Sequence, residues 1–317
     1  MARFLLHRLW QSLLVLAVMS FVIYGLMGLM PGDPIDLMIS SNPHVTSEDA
    51  ARLRSLYGLD KPIVERYGNW LQAALSGDLG YSRTYARPVP EVLAPALVNT
   101  LWLLGSTLVL SILIALPAGI LAAARPYSRF DYTVNLLAFA GISVPVFWLG
   151  LLLIMVFAVM LGALPAGGTG AIGDAGLWER LRYLVLPVAT LTLASVGGHT
   201  RYVRAAMIEV LRQDYIRMAR AKGVGRLRVL FRHALRNAMI PVVTVLALDL
   251  GFLFSGALVT ETIFAYPGMG KMIFDAIMGN DFNLALVALL FATLLTLAGN
   301  LLADLAYAWL DPRISYR

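Results

Sequence analysis

Long apolar runs alternate with short polar segments along nearly the whole chain. The apolar runs are Leu9 to Met30, Leu97 to Ala124, Thr133 to Leu164, Tyr183 to about Tyr202, Pro241 to about Val259, and Asn283 to Trp309. About 20 apolar residues in a helix cross the hydrocarbon core of a bilayer, so the pattern predicts six membrane-spanning helices and an all-α, polytopic membrane fold. Thr133–Leu164 is too long for one straight span. Ser143-Val144-Pro145 interrupts it, which predicts a kinked helix or two pieces. Pro117, Gly141, Gly150, Gly251 and Gly256 also lie within spans, where they allow bending and close packing. The first run is longer than the roughly 7–15-residue core of a cleaved signal peptide and has no small-x-small cleavage site, so it reads as an uncleaved first helix.

The polar segments set the organisation. Residues 1–30 are a short basic N-terminus and the first helix. Pro31-Gly32-Asp33-Pro34 is a strong turn signal and opens the longest polar stretch, residues 31–95. There Asp33, Asp36, Glu48, Asp49, Asp60, Glu65, Asp78 and Glu91 outnumber the basic residues, which suits an external, helical cap. Thr46-Ser47-Glu48-Asp49 resembles a helix start, Gly58 to Pro62 a stop, and Tyr67, Trp70, Leu71 and Leu75 a second helical face. Residues 96–310 form the remaining five-helix core with a cytoplasmic loop at 203–237, and 311–317 a cytoplasmic tail.

Composition fits this class. The 317 residues are 59% hydrophobic and 14% charged, with mean hydropathy +0.74, where a soluble domain carries about 25% charged residues. The net charge of +6 is explained by orientation and gives no reason to expect nucleic acid. Arg3, Arg8, Arg125, Arg129, the ten basic residues of 201–241, Arg313 and Arg317 make up most of the 25 Lys and Arg. Lys and Arg collect in cytoplasmic loops, so six spans place both termini inside. Cysteine is absent, so the chain has no disulfide framework and no thiolate metal site.

The stretch Arg201 to Pro241 is the most basic part of the chain, opposed only by Glu209 and Asp214. It has helical periodicity. Val203, Met207, Val210, Leu211, Tyr215 and Met218 recur at three- or four-residue steps, Gly223 and Gly225 stop the run, and Arg226 leads a second helical segment into the next span. A cytoplasmic amphipathic helix ended by glycine between two spans fits a docking element for a soluble partner.

Asp214-Tyr215-Ile216-Arg217-x-Ala219-Arg220-Ala221-Lys222-Gly223, followed by His233-Ala234-Leu235-Arg236-Asn237-Ala238-Met239-x-Pro241, resembles the signature loop of ABC importer permeases. More narrowly it is similar to the branch for dipeptides, oligopeptides, glutathione and nickel. Where the general loop begins Glu-Ala-Ala, this chain has Arg217-Met218-Ala219, a departure usual in that branch. Pro31-Gly32-Asp33-Pro34, Gly77-Asp78-Leu79-Gly80-Tyr81-Ser82 and Thr260 to Gly268 extend the resemblance over most of the chain. It implies the type I importer fold and a coupling helix, within 212–225, that sits in a cleft of an ATPase subunit. Asp214, Tyr215, Arg217, Ala219, Arg220, Ala221, Lys222 and Gly223 would make that contact. The implied partners are a second homologous permease, two ATPase chains and an external binding protein, in a bacterial inner membrane.

Asp249 falls mid-span and Asp304 near the inner end of the last span. An intramembrane carboxylate is costly and faces a bundle interior or a water path. Asp249 therefore either attracts a cationic group during passage or joins two helices as a hydrogen-bonded acid. Glu261, at the outer end of the fifth span, and Pro145 complete the translocation-path candidates; the resemblance implies an inward-folded loop around Glu261. A phosphate-binding loop needs G-x-x-x-x-G-K-[ST]. The nearest run, Ala265-Tyr266-Pro267-Gly268-Met269-Gly270-Lys271-Met272, lacks the first glycine and the hydroxyl after the lysine. ATP and magnesium would then belong to partner chains, with no metal or cofactor on this one. His199 near Ser195 raises intramembrane hydrolysis as an alternative, but beside Arg201 and Arg204 it more simply marks the water interface. An ATP-independent secondary transporter is the other rival. It would show inverted repeats and broken mid-membrane helices; no repeat is evident.

Overall fold

The computed structural model describes residues 2–29, 52, 61–170, 176–253 and 257–310. The described chain is dominated by helices: α1 Ala2–Gly28, α2 Ile63–Leu75, α3 Val89–Ala124, α4 Arg129–Ser143 and α5 Val146–Leu153, which continues as a π-helix over Ile154–Met160. Next come α6 Leu177–Leu211, α7 Asp214–Ala221, a single turn Arg226–Arg228, a π-helix Val229–Ala234 and α8 Leu235–Leu253. Last are α9 Leu258–Ile263, α10 Met269–Met278 and α11 Phe282–Leu310. Strands β1 (Tyr81–Ser82) and β2 (Arg87–Pro88) form a small antiparallel hairpin, Tyr81 opposite Pro88 and Ser82 opposite Arg87. The expected turn at Pro31–Pro34, the helix start at Thr46–Asp49 and the tail from Asp311 lie outside the described residues.

Among the described residues four helices are long and apolar enough to cross a membrane: Leu6–Gly28, Val89–Ala124, Leu177–Leu211 and Phe282–Leu302. The pair Arg129–Ser143 and Val146–Met160, bent by 98°, would make a fifth. The bend is where the proline predicted it. Val144 is extended at φ −88°, ψ 124° and Pro145 caps the second helix at φ −59°, ψ 132°, because a proline ring excludes the helical conformation from the residue before it. The fifth expected span, 241–259, is helical to Leu253, and residues 254–256 lie outside the described set.

The chain forms two compact units, Met1–Ala96 with Met272–Leu295, and Leu97–Lys271 with Thr296–Arg317. In the first, Phe21 and Tyr24 of α1 meet Tyr67 edge-on at 5.2 and 5.6 Å between ring centroids, and Tyr24 also meets Trp70 of α2 and Phe282 of α11. Ser20 Oγ and Tyr67 OH share a hydrogen bond of 2.6 Å. Buried Asp281 caps α11 through the Leu284 N–H and accepts from Ser82 Oγ at 2.6 Å and the Thr84 N–H at 2.9 Å. One carboxylate thus fixes the hairpin to the start of that helix.

In the second unit α6 is the central rod, against which α4, α5, α8 and α9 pack. It approaches α4 closely: a β-carbon on Gly197 would lie 2.4 Å from the Ala138 carbonyl oxygen, and one on Gly141 2.8 Å from that of Leu193. The helix also outruns the apolar span expected to end near Tyr202. Residues 203–211 contain neither glycine nor proline, and α6 continues to Leu211.

Candidate functional site

The central loop folds as helix, break, helix. Arg212 and Gln213 separate α6 from α7, with Gln213 extended at φ −68°, ψ 150°. The break resets the helical phase, which corrects the single apolar face read from the sequence. Val203 and Met207 are buried, whereas Tyr215 and Met218 are 41% and 57% exposed. The inward residue of α7 is Ile216, fully buried. It enters an apolar socket made by Ile120 and Ala123 of α3, Val203 and Met207 of α6, and Val229 and Leu230 of the following π-helix.

One polar contact braces α7 itself and a second ties the turn after it to the end of α3. Asn237 Nδ2 donates to Tyr215 OH at 2.9 Å, and Arg226 Nη2 donates to the carbonyl of Ala124, the last residue of α3, at 2.9 Å. Asp214 and Arg217 pair on the exposed surface. Asp214 lies at the positive end of the helix dipole, with Arg220 and Lys222 at the negative end.

The helix stops at glycine by a defined mechanism. The Gly223 N–H bonds to the Arg220 carbonyl at 3.0 Å and the Val224 N–H to the Ala219 carbonyl at 3.1 Å, the two bonds of a Schellman motif. Gly223 takes φ +78° there, with no other atom within 4 Å of where its β-carbon would be. Val224 and Ala219 both pack on the apolar socket. The outer surface of α7, from Asp214 through Tyr215, Arg217, Arg220, Ala221 and Lys222 to Gly223, is exposed, while Ala219 is half-buried.

Close to the socket, Arg204 of α6 holds Asp131 of α4 through Nε to Oδ1 at 2.5 Å and Nη2 to Oδ2 at 2.7 Å. Asp131 is 2% exposed and also accepts from the Tyr127 N–H and Asn135 Nδ2, each at 2.8 Å.

Asp249 has a partner. His199 Nε2 lies 2.6 Å from Asp249 Oδ2, and His199 Nδ1 lies 2.6 Å from Ser111 Oγ, with Ser195 Oγ 3.3 Å from Ser111 Oγ. Serine, histidine and aspartate thus stand in one hydrogen-bonded chain across α3, α6 and α8. The serine on the imidazole is Ser111, which is fully buried, so its hydroxyl has no access to a substrate carbonyl. A neutral imidazole donates from one nitrogen and accepts at the other, which satisfies both neighbours.

Glu261 is fully buried. Thr100 Oγ1 donates to Oε1 at 2.8 Å and the Lys271 N–H to Oε2 at 2.8 Å, while Thr100 accepts from the Met269 N–H at 2.7 Å. The loop from Thr260 to Lys271 wraps this side chain so closely that a β-carbon on Gly268 would lie 2.3 Å from its carboxyl carbon, and one on Gly270 3.0 Å from Oε2. Tyr266 OH donates to the Asn99 carbonyl at 3.1 Å. Burial, and after it the Glu261 charge, hold that phenol above its ordinary pKa range. Pro145 stands apart at the α4–α5 bend. Ser111, Asp131, Thr100 and Ile216 were not singled out in the sequence, since their partners lie tens to more than a hundred residues away.

A helical, multi-pass membrane chain with a braced, glycine-ended helix between two of its long helices is the architecture of a transport permease. Comparison with known proteins agrees: residues 115–316 match the family of binding-protein-dependent transport system inner membrane components, and residues 1–93 match the N-terminal family of such membrane components. The chain belongs to that family. It is 39% identical to the oligopeptide transport system permease protein AppB of Bacillus subtilis strain 168, with both chains covered in full. It is 34% identical to the dipeptide transport system permease protein DppB of Escherichia coli K12 and 35% identical to the glutathione transport system permease protein GsiC of Escherichia coli O6:H1, again over the whole of each chain.

Proposed function

We propose that this chain is the membrane-spanning half of an ATP-driven importer for dipeptides and oligopeptides. It spans a bacterial inner membrane six times with both termini inside, pairs with a second homologous permease, and receives solute from an external binding protein. Two ATPase subunits complete the complex, one of them engages α7, and Asp214, Tyr215, Arg217, Ala219, Arg220, Ala221, Lys222 and Gly223 form or shape the contact. ATP and magnesium stay on the ATPase chains, and this chain makes and breaks no covalent bond. The carrying observation is the construction of α7: its buried face is locked by Ile216 and the Schellman stop, while Met218 and part of the Tyr215 ring remain exposed. A rigid element with exposed apolar and cationic groups is built to be pushed by a partner.

The translocation path is bordered by the Pro145 bend, by Asp249 as its negative group, and by the loop that Glu261 holds in shape. Peptide is the favoured solute because relatives covered over their full length carry oligopeptide and dipeptide in their names; glutathione, named for another relative, is itself a tripeptide. The test is purification of the tagged chain from its own membrane. Co-purification with a P-loop ATPase, together with loss of uptake in Gly223→Trp at normal accumulation of the chain, supports the reading. Solute uptake by the lone chain without ATP overturns it.

A further inference from the structure

The hydrogen-bonded chain of Ser111, His199 and Asp249 has a relation to the α7 socket that neither has alone. His199 precedes Val203 by four residues and Met207 by eight on α6. On α3, Ser111 precedes Ala115, which lines the apolar gap beside the socket, by four. Asp249 follows Val242 by seven on α8. These spacings keep His199 and Asp249 near the helix faces that carry socket residues on α6 and α8, and Ser111 near the face of α3 that lines the gap beside the socket. The same three helices therefore meet twice: once around Ile216, through apolar contact, and again about one to two turns away along α6 and α8, and further along α3, through two bonds of 2.6 Å. Between the two lies a small apolar gap lined by Ala115, Leu116, Tyr202, Val242 and Leu246, with His199 at its edge.

One contact between helices is a pivot, while two contacts at different heights fix their relative tilt. We infer that Ser111, His199 and Asp249 form a tie that makes α3, α6 and α8 move as one body with α7, so that ATP hydrolysis in the partner stays in step with solute movement. This rests on the importer reading above. The tie suits an apolar setting. Separating the helices strands an imidazole and a carboxylate without partners, which costs more there than in water. The imidazole is the positioning group, because in the tautomer protonated on Nε2 it donates to Asp249 and accepts from Ser111 together. Glutamine also presents a donor and an acceptor about 2 Å apart on one planar group, so it can replace histidine in a tie but not in proton transfer.

The experiment uses the complete complex in liposomes with trialanine as solute, and reads ATP hydrolysed per trialanine taken up. His199→Leu is expected to raise that ratio about tenfold, the equivalent of ~1.4 kcal/mol, which is in the range of one or two interhelical hydrogen bonds. His199→Gln should restore most of the wild-type ratio, and Ser111→Ala, which loses one bond, should raise it less than His199→Leu. If His199→Leu does not assemble, Ser111→Ala against wild type makes the same comparison. A wild-type ratio in Ser111→Ala and in any assembled His199→Leu, or a His199→Gln complex as uncoupled as His199→Leu, overturns the tie. A wild-type complex with no ATP-dependent uptake overturns the importer reading instead.

Discussion

Arg204 grips Asp131 with two parallel hydrogen bonds, and the carboxylate is almost wholly out of water. The pair joins the first turn of α4 to α6 one turn before the socket residue Met207. Two further donors, the Tyr127 N–H and the Asn135 amide, require a carboxylate at 131.

Removing one member of a buried ion pair leaves the other uncompensated, at about 3–5 kcal/mol. Arg204 retains some access to water, so Asp131→Ala is expected at the low end, ~3 kcal/mol. Thermal melting in detergent measures it. Exchanging the pair, Asp131→Arg with Arg204→Asp, should recover only part of the loss, because the Tyr127 and Asn135 donors would then face a guanidinium. Full recovery would show that the pair charge alone matters.

Ile216 and Met218 sit two residues apart with opposite surroundings. Ile216→Ala empties part of a closed socket and should cost about 2–5 kcal/mol of stability. Met218→Ala should change melting by less than about 0.5 kcal/mol and yet weaken retention of the ATPase through purification. The chain has no cysteine, so Met218→Cys is a unique attachment point. It should cross-link to the ATPase and not to lipid; labelling by lipid-borne reagents alone would place α7 in the membrane and contradict the docking role.

Gly223 adopts a left-handed conformation in open surroundings. Gly223→Ala therefore carries only backbone strain, roughly 1–2 kcal/mol, and Gly223→Asn should carry less. Neither clashes within the chain, so both should accumulate normally. A loss of uptake in Gly223→Asn as complete as in Gly223→Trp would mean that even a small side chain obstructs the partner here, since Asn keeps the left-handed backbone.

Gly268 offers the contrasting case, a glycine without space. Gly268→Ala drives a methyl group into the Glu261 carboxyl group, and overpacking of this kind costs about 1–3 kcal/mol or more. The folded yield from membranes should fall. Gly105→Ala, with nothing within 4 Å, should not. Combining Gly268→Ala with Glu261→Ala should not restore yield, since the Thr100 hydroxyl and the Lys271 N–H would lose their acceptor. Restored yield would show that steric conflict is the whole effect.

The helices, the break at Pro145 and the stop at Gly223 were legible in the chain, because apolar length, proline and glycine act locally. The helix over Tyr67–Leu75 was legible for the same reason. The phase of the amphipathic run was not. Periodicity continued smoothly across Arg212 and Gln213, which are ordinary helix residues, and the break shows only in their backbone angles. The partner of Asp249 was hidden by 50 residues of separation and that of His199 by 88. Sequence left two readings of Asp249, and the structure supplies the bond that one of them needed. Glu261 was expected at a span end in an inward-folded loop; only the fold shows backbone and hydroxyl donors converging on it.

Helix α6 runs unbroken for 35 residues, about 52 Å at 1.5 Å per residue. Its C-terminal part carries Met207 in the seat of α7, and its N-terminal half carries Leu184, Leu186 and Val188 against Phe264 and Tyr266 of the Glu261 loop. Both contacts lie on one continuous helix. A displacement at the α7 seat and one at the Glu261 loop would thus be carried by the same rod, without any chemical messenger between them.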